Sequence, residues 1–173
     1  TTIDNIGNNS LCPLIPPGIG TRISIPSDNK ALTEIEKIVT QKRPNLTVGG
    51  KWMPNVCKAR HKVAIIVPYR DRERNLKLFV EHMHPFLSKQ QLEYGIYLLE
   101  PIGNTTFNRG LLMNLGFVES LKDDPKWECF VFHDVDLLPE DERNFYSCPE
   151  RPRHMSSAVS TMNYRYKNFI FFI

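Results

Sequence analysis

The chain lacks the short motifs that mark several common enzyme classes. No Gly-x-Gly-x-x-Gly follows the apolar run ending at Val67, which removes the main support for a dinucleotide-dependent oxidoreductase. No Gly-x-Ser-x-Gly is present, so the usual signature of an α/β hydrolase is missing. None of the 4 cysteines forms a Cys-x-x-Cys, which argues against a zinc ribbon or a thioredoxin-like site.

Long runs of one chemical kind are also missing. The formal net charge is only +3, and no basic run exceeds a few residues, so we expect no nucleic-acid surface. The longest apolar runs, Val63–Val67 and Phe169–Ile173, are far shorter than the ~18 residues that span a bilayer. Neither an initiator Met nor a signal-peptide pattern stands at Thr1. We therefore expect a piece of a longer protein at its N-terminal end.

Cysteines and glycosylation sequons bear on the cellular compartment. Four cysteines allow three pairings, and sequential pairing would close loops of moderate length; they stand at Cys12, Cys57, Cys129 and Cys148. Four free thiols in a cytosolic protein are the alternative. Asn-x-Ser/Thr sequons occur at Asn8, Asn45 and Asn104. Three sequons together favour a protein of the secretory pathway.

Apolar patterning predicts strands that alternate with helices. Continuous apolar runs, typical of buried parallel strands, cover Lys62–Pro68, Tyr94–Leu99 and Cys129–His133, and a weaker strand is expected near Met155–Val159. Helical spacing relates Leu76, Phe79, Val80, Met83 and Leu87, with Pro85 expected to kink or end that helix. The order β-α-β-α-β predicts an α/β fold with a parallel sheet and right-handed crossovers.

Two further helices are predicted from capping residues. Thr33 and Glu36 form a capping-box pattern at the start of a helix that Pro44 ends. Asn108 is a suitable N-cap for the helix after the second long strand, whose apolar residues are Leu111, Leu112, Leu115 and Val118.

Polar residues follow each long strand. Tyr69–Arg72 comes after the first, Phe107–Arg109 after the second, and Asp134 and Asp136 after the third. The carboxyl ends of parallel strands share one edge of the sheet, where ligands bind in open α/β folds. We therefore expect these three loops to meet.

The three loops would suit a nucleotide diphosphate. Arginine forks match phosphate oxygens, an aromatic ring can stack on a base, and a carboxylate can hold Mn²⁺ or Mg²⁺ against a diphosphate. Simpler readings remain open at this point. Asp-x-Asp arises by chance, loop arginines are often only solvated, and Phe107 would equally anchor its helix. His133 is better explained as a hydrogen-bonded neighbour of Asp134 than as a metal ligand.

Several longer segments of the sequence resemble a known family. The matching segments are Gly49–Trp52, His61–Arg72, Gln90–Tyr97, Phe107–Arg109, Phe132–Pro139 and Pro152–His154. In this order and spacing they resemble the β-1,4-galactosyltransferases (glycosyltransferase family 7), including their invertebrate N-acetylgalactosaminyl-transferring relatives.

The resemblance implies a GT-A fold, Rossmann-like with a mostly parallel sheet and flanking helices, in an enzyme of the Golgi lumen with an N-terminal membrane anchor. It implies Mn²⁺-dependent, inverting transfer of galactose or GalNAc from UDP-galactose or UDP-GalNAc to the 4-OH of a terminal GlcNAc. The disulfides implied are Cys12–Cys57 and Cys129–Cys148, and the metal ligand is Asp136. The implied UDP contacts are Pro68, Tyr69, Arg70, Asp71, Arg72, Phe107, Asn108, Arg109, Val135 and Asp136.

The resemblance also implies a division of the chain. Residues 1–30 correspond to a stem, 31–160 to the N-terminal, donor-binding part of the catalytic domain, and 161–173 to a divergent tail. Tyr69 and Asp71 replace the Phe and Asn of the family's Pro-Phe-Arg-Asn-Arg. The family's Trp- and acid-rich segment, which holds the catalytic base, has no counterpart in these 173 residues. A fragment that at most binds UDP and metal is therefore the alternative, and a nucleotidyltransferase is a weaker one.

Overall fold

The computed structural model describes residues 10–26, 31, 33–35, 37, 41, 46, 47 and 49–164. Its elements are β1 (Lys51–Trp52), β2 (Lys62–Pro68), α1 (Glu73–Lys89), β3 (Glu93–Leu99), α2 (Arg109–Asp123), β4 (Cys129–Phe132) and a 3₁₀ turn (Ser160–Met162). No helix within these residues is both long enough and apolar enough to cross a membrane. Most of the helix predicted before Pro44, including Glu36 of its capping box, lies outside the described residues.

The sheet has the strand order β1-β3-β2-β4. β2 is parallel to both of its neighbours, with Ile65 opposite Ile96 on β3 and Val131 on β4, whereas β1 is antiparallel to β3. Val63–Val67 of β2 is completely buried. A central strand covered on both faces needs apolar side chains at successive positions, which explains its unbroken apolar run. The predicted α/β class with a mostly parallel sheet is confirmed.

Helix α1 packs on one face of this sheet. Phe79, Met83 and Leu87 are fully buried in a core that includes Val63, Ile65 and Val67. Pro85 does not end the helix, which continues to Lys89, so that part of the prediction was wrong. Proline removes one backbone hydrogen bond. Burial of the residues that follow it, among them Leu87, offsets that loss.

Helix α2 packs on the opposite face of the sheet, where it comes closest at a glycine. Its buried positions are Leu112, Gly116 and Ser120, whereas Leu111, Leu115 and Val118 are 52%, 44% and 44% exposed. Of the four apolar residues named for this helix, only Leu112 is therefore on its packed face. A Cβ on Gly116 would lie 2.4 Å from Ile66 Cγ2 and 2.8 Å from Leu99 Cδ2. The helix therefore approaches the sheet at a glycine, which a hydrophobic pattern does not reveal.

The N-terminal segment is tied to the domain. Both disulfides implied by the resemblance are present, Cys12–Cys57 and Cys129–Cys148, and no cysteine is free. The Cys12 amide donates to Lys58 O at 2.9 Å, and the Ile23 amide donates to Glu140 O at 2.9 Å. Residues 10–26 thus pack along the domain rather than apart from it.

The strand expected near Met155–Val159 does not form. The side-chain amide of Asn144 donates to Met155 O at 3.4 Å, and no described strand pairs with this segment. Met155 instead packs against the core as a partly buried loop residue. A short apolar run without a neighbouring strand has no ladder to join, which is why its composition was misleading.

Candidate functional site

The carboxyl ends of β2, β3 and β4 lie at one edge of the sheet, as the parallel topology requires. Pro68 ends β2 opposite Leu99, the last residue of β3. The Tyr69 amide then donates to Leu99 O at 2.9 Å and keeps the two strand ends together. Tyr69 itself is partly buried against the core, so its ring is held by packing.

Arg70 connects the first loop to the second. Its Nη1 donates to Thr105 O at 2.5 Å, and its guanidinium carbon lies 5.6 Å from the centroid of the Phe107 ring. Phe107 is 41% exposed, so it anchors Arg70 without being buried in the core. Thr105 was missed as a site residue, because nothing in its local sequence indicates a contact with a side chain 35 positions earlier.

The backbone turns sharply at Asp71. Its φ is +50°, in the left-handed region that few residues other than glycine and asparagine enter. Asp71 and Arg72 are both exposed, and α1 begins at the next residue, Glu73. The turn therefore separates a held arginine, Arg70, from a solvent-facing one, Arg72.

Arg109 connects the second loop to the third. The predicted N-cap is confirmed, since Asn108 Oδ1 accepts from the Leu111 amide at 3.0 Å and starts α2. Arg109, the first residue of that helix, places Nη2 2.8 Å from Asp134 Oδ1 and 3.0 Å from Oδ2. Both side chains are partly exposed, and such an ion pair contributes no more than about 1 kcal/mol. A competing anion can therefore displace Asp134 from Arg109 at little cost.

His133 is held on both ring nitrogens. Nδ1 lies 2.8 Å from Asp134 O, and Nε2 lies 2.7 Å from the Tyr146 hydroxyl. A carbonyl oxygen only accepts, so Nδ1 carries the proton and Nε2 accepts from Tyr146. Burial lowers the pKa of His133 and raises the pKa of Tyr146, which keeps both neutral. His133 is thus a buried structural residue, as expected, with no lone pair left for a metal.

Val135 and Asp136 face different surroundings. Val135 is buried in the core beside α1, so only its backbone is available to a ligand. Asp136 is exposed and opens onto a cleft of about 200 Å³, which Asn75 and Glu140 also line. Carboxylate oxygens are the ligands that Mn²⁺ and Mg²⁺ prefer, so this donor set fits such an ion. Sequence reasoning missed Asn75, which comes from α1, and Glu140.

A second group of possible metal ligands lies at the other edge of the sheet. Within the described part of the chain, His61, Glu128 and Cys148 place ligand atoms within 4.8 Å of one another. The sulfur of Cys148 is bonded to Cys129, which removes the thiolate that a metal would need. These residues therefore do not fit a metal ion, and Asp136 remains the better candidate.

The structure thus joins the three loops in pairs, Arg70 with Thr105 and Phe107, and Arg109 with Asp134. Asp136 lies two residues beyond Asp134 and points to a cleft that the arginines do not line. The arrangement suits a negatively charged ligand near the arginines and a cation at Asp136. The roles assigned to these residues from the sequence stay predictions.

This chain belongs to a glycosyltransferase family: residues 12–149 match the N-terminal region of glycosyl transferase group 7. That family is the one the sequence resembles, and its match covers both disulfides and all three loops.

The curated relatives are β-1,4-galactosyltransferases. The chain is 42% identical to β-1,4-galactosyltransferase 5 of Danio rerio over 154 residues, which is 89% of this chain and 40% of the relative. It is 46% identical to β-1,4-galactosyltransferase 1 of Mus musculus over 128 residues, which is 74% of this chain and 32% of the relative. The chain therefore spans about two fifths or less of the length of these relatives.

Solved structures of one further relative are also similar. The catalytic domain of Drosophila β-1,4-galactosyltransferase 7 with xylobiose is 38% identical, with a TM-score of 0.49 over 52% of this chain and 37% of that one. A mutant of that enzyme with manganese, UDP-Gal and xylobiose is 39% identical, with a TM-score of 0.48 over the same shares.

Proposed function

We propose that this chain forms the UDP- and metal-binding part of a Mn²⁺-dependent β-1,4-galactosyltransferase. The whole enzyme transfers galactose, or GalNAc, from a UDP-sugar to the 4-OH of a terminal GlcNAc on glycoproteins or glycolipids, with inversion. It works in the Golgi lumen, held by an N-terminal membrane anchor. Membership of the family and 40–46% identity to several β-1,4-galactosyltransferases support this proposal.

One observation carries the assignment of the site. Three loops meet at the carboxyl edge of the sheet and carry two arginines, Arg70 and Arg109, together with the exposed carboxylate of Asp136. A nucleoside diphosphate needs cationic groups for its phosphates and a divalent cation between them. This edge supplies the residue types for both.

Each residue has a defined task in this proposal. Asp136 would hold Mn²⁺, which neutralises the charge that develops on the departing UDP. Arg109 exchanges Asp134 for a phosphate oxygen. Arg70 stays with Thr105 and so holds the loop whose exposed Phe107 ring can stack on the uracil.

No catalytic base is assigned to this chain. An inverting transfer needs a group that takes the proton from the acceptor hydroxyl. We assign no described carboxylate at this edge to that task, because Asp136 is assigned to the metal and Asp134 is paired with Arg109. Acceptor binding and proton removal therefore belong to the part of the enzyme that this chain does not span. The second candidate is a catalytically inactive fragment that at most binds UDP and metal.

Calorimetry of the oxidised chain with UDP tests the site. We expect binding that requires Mn²⁺, and a loss of affinity of at least about tenfold in Asp136→Ala, because a metal-binding group is removed. Glu119→Ala is the matched control, since it removes an exposed carboxylate on α2 far from this edge. A folded chain that binds no UDP, or an Asp136→Ala variant that binds normally, would overturn the assignment.

An activity assay separates the two candidate functions. With UDP-galactose and a GlcNAc-terminated acceptor, we expect no product from this chain alone, since none of its described residues is assigned as the base. Product formation by the chain would show that it is a complete enzyme and that the base has been overlooked.

A further inference from the structure

The loop between β3 and α2 contains a glycosylation sequon that the fold leaves accessible. Asn104, Thr105 and Thr106 form an Asn-x-Thr sequence in this irregular segment, and all three are exposed. Gly103, immediately before Asn104, has a φ of +72° and turns the chain at that point. An asparagine must stand on an exposed, irregular segment if a bulky sugar is to be attached to it.

Within the described part of the chain, only the middle residue of the sequon is shown with a hydrogen bond to another segment. Thr105 accepts hydrogen bonds from Arg70, at 2.5 Å to its carbonyl oxygen and 3.5 Å to its hydroxyl. Asn104 and Thr106, the two residues that define the sequon, take no part in these bonds. The loop is thus fixed at Thr105 while the modifiable amide remains in solvent.

The cysteines indicate that the chain folds where this modification takes place. All 4 form disulfides, and the pairs are separated by 45 and 19 residues. Disulfides of this kind form and persist in the oxidising secretory pathway and are rare in the cytosol. Asparagine-linked glycosylation occurs in the same pathway. The redox state of the protein and the exposure of the sequon are independent observations that agree.

Ile102 gives the sugar a surface to cover. It is 94% exposed, the largest exposed fraction of any large hydrophobic residue in the described chain. A single exposed apolar residue is common on protein surfaces. Its place two residues before Asn104 matters here, because two residues of chain span at most about 7 Å and keep Ile102 within reach of the first sugar ring.

We propose that Asn104 carries an N-linked glycan whose first sugar lies over Ile102. The donor is a lipid-diphosphate-linked oligosaccharide. The Asn104 Nδ2 forms a bond to the anomeric carbon, the bond from that carbon to the diphosphate oxygen breaks, and the amide proton is lost to a base of the transferring enzyme. The lipid diphosphate leaves with the electron pair. The glycan then stands beside the loop that Arg70 holds, at the rim of the carboxyl edge.

Peptide mapping of the secreted protein tests the modification directly. The chain is expressed in insect cells behind a cleavable signal sequence, and the purified, oxidised product is digested with trypsin. Gln90–Arg109 is a single tryptic peptide in which Asn104 is the only sequon asparagine. We expect this peptide to carry glycan, and enzymatic removal of the glycan in ¹⁸O-water to convert Asn104 to a labelled aspartate.

Three variants show that the sequon is responsible. Asn104→Gln and Thr106→Ala should lose the glycan from this peptide, whereas Thr106→Ser should keep it, since serine preserves the sequon. An unmodified Asn104 in the secreted, disulfide-bonded wild-type chain would overturn the proposal, whether or not the variants fold.

A second measurement addresses Ile102. Removal of the glycan from the folded protein should expose this side chain and increase the aggregated fraction in size-exclusion chromatography. The same removal from an Ile102→Thr variant should cause a smaller increase. Equal increases in both proteins would show that the sugar does not cover Ile102.

Discussion

At the scale of single residues, Asp71 combines two unfavourable features. Its backbone lies in the left-handed region, with φ +50°, and it adds a negative charge to the loop that holds Arg70 and Arg72, at the edge proposed to bind a diphosphate. Asparagine enters this conformation more readily and carries no charge. A strained residue at such a place is a common sign of a functional turn.

We predict that Asp71→Asn strengthens Mn²⁺-dependent UDP binding by about 1.5- to 5-fold, the range expected from removal of one exposed like charge. Asp71→Ala removes the same charge but fits the turn less well, so it should also lower the free energy of unfolding by about 1 kcal/mol. Calorimetry gives the affinity and urea denaturation gives the stability. Unchanged UDP affinity in both variants at low salt would place Asp71 away from the bound diphosphate.

At the scale of elements, the approach of α2 to the sheet depends on one glycine. A Cβ at Gly116 would overlap Ile66 and Leu99, which lie on two neighbouring strands. Both side chains belong to strands that fix their positions, so neither can move far. The helix itself must shift if the position gains a side chain.

We predict that Gly116→Ala lowers the free energy of unfolding by about 1–3 kcal/mol, the usual cost of overpacking. Gly110→Ala is the control on the same helix, since its Cβ meets nothing closer than Asn108 Oδ1 at 3.7 Å. That change should raise stability by up to about 1 kcal/mol, because alanine favours the helix. Urea denaturation measures the free energy of unfolding of both variants. Similar changes in the two would show that α2 does not approach the sheet closely at Gly116.

Glu142 joins three segments in a second long-range arrangement. Its Oε2 accepts from the Gly20 amide at 3.2 Å and from the Thr21 hydroxyl at 3.0 Å, while its Oε1 pairs with Lys89 at the end of α1. It is only 5% exposed. The Lys89 ammonium, together with the Thr21 donors, lowers the pKa of Glu142.

This lowered pKa predicts acid sensitivity. A carboxylate whose pKa is lower in the folded state stabilises the fold above its ordinary value of 4.5, and that stability is lost as the pH falls towards the folded value. Glu142→Gln should lower the free energy of unfolding at neutral pH by about 1–3 kcal/mol. The difference in free energy of unfolding between Glu142→Gln and wild type should become smaller below about pH 4.5. Urea denaturation of both proteins, from neutral pH to below pH 4.5, measures this difference. If the difference did not change with pH, the charge of Glu142 would not be the cause.

At the scale of the whole molecule, the two disulfides constrain different lengths of chain. Cys12–Cys57 connects the N-terminal segment to the start of the sheet across 45 residues, and Cys129–Cys148 closes 19 residues around the Asp136 loop. The described fold also leaves apolar side chains of α2, such as Leu111 and Leu115, exposed. Each covalent link restricts the unfolded chain and so stabilises the fold.

We predict that loop entropy makes the first disulfide the stronger one. Replacement of Cys12 and Cys57 by serine should cost about 4 kcal/mol, and the same change at Cys129 and Cys148 about 3 kcal/mol. Urea denaturation of each double variant against the oxidised protein measures these losses. Equal stability of wild type and the Cys12/Cys57 variant would show that residues 10–26 are held by the other contacts alone.

The sequence by itself determined the local elements and the place of the acidic pair. Unbroken apolar runs marked the central strands because burial on both faces leaves no polar position, and Asn108 marked the start of α2 because a helix needs its first amides capped. The position of Asp136 just beyond a strand followed from the same pattern. The resemblance to the family added the partners of the two disulfides.

Only the tertiary structure decided which neighbours these residues meet. It packs α2 through Gly116 and leaves Leu111 and Leu115 exposed, engages both nitrogens of His133, and leaves Asp136 open to a cleft. It also pairs Arg70 with Thr105 and Arg109 with Asp134, across 35 and 25 positions of sequence. Hydrophobic periodicity predicts which positions are buried. It does not predict these contacts, because they depend on loops that come together only after the sheet has formed.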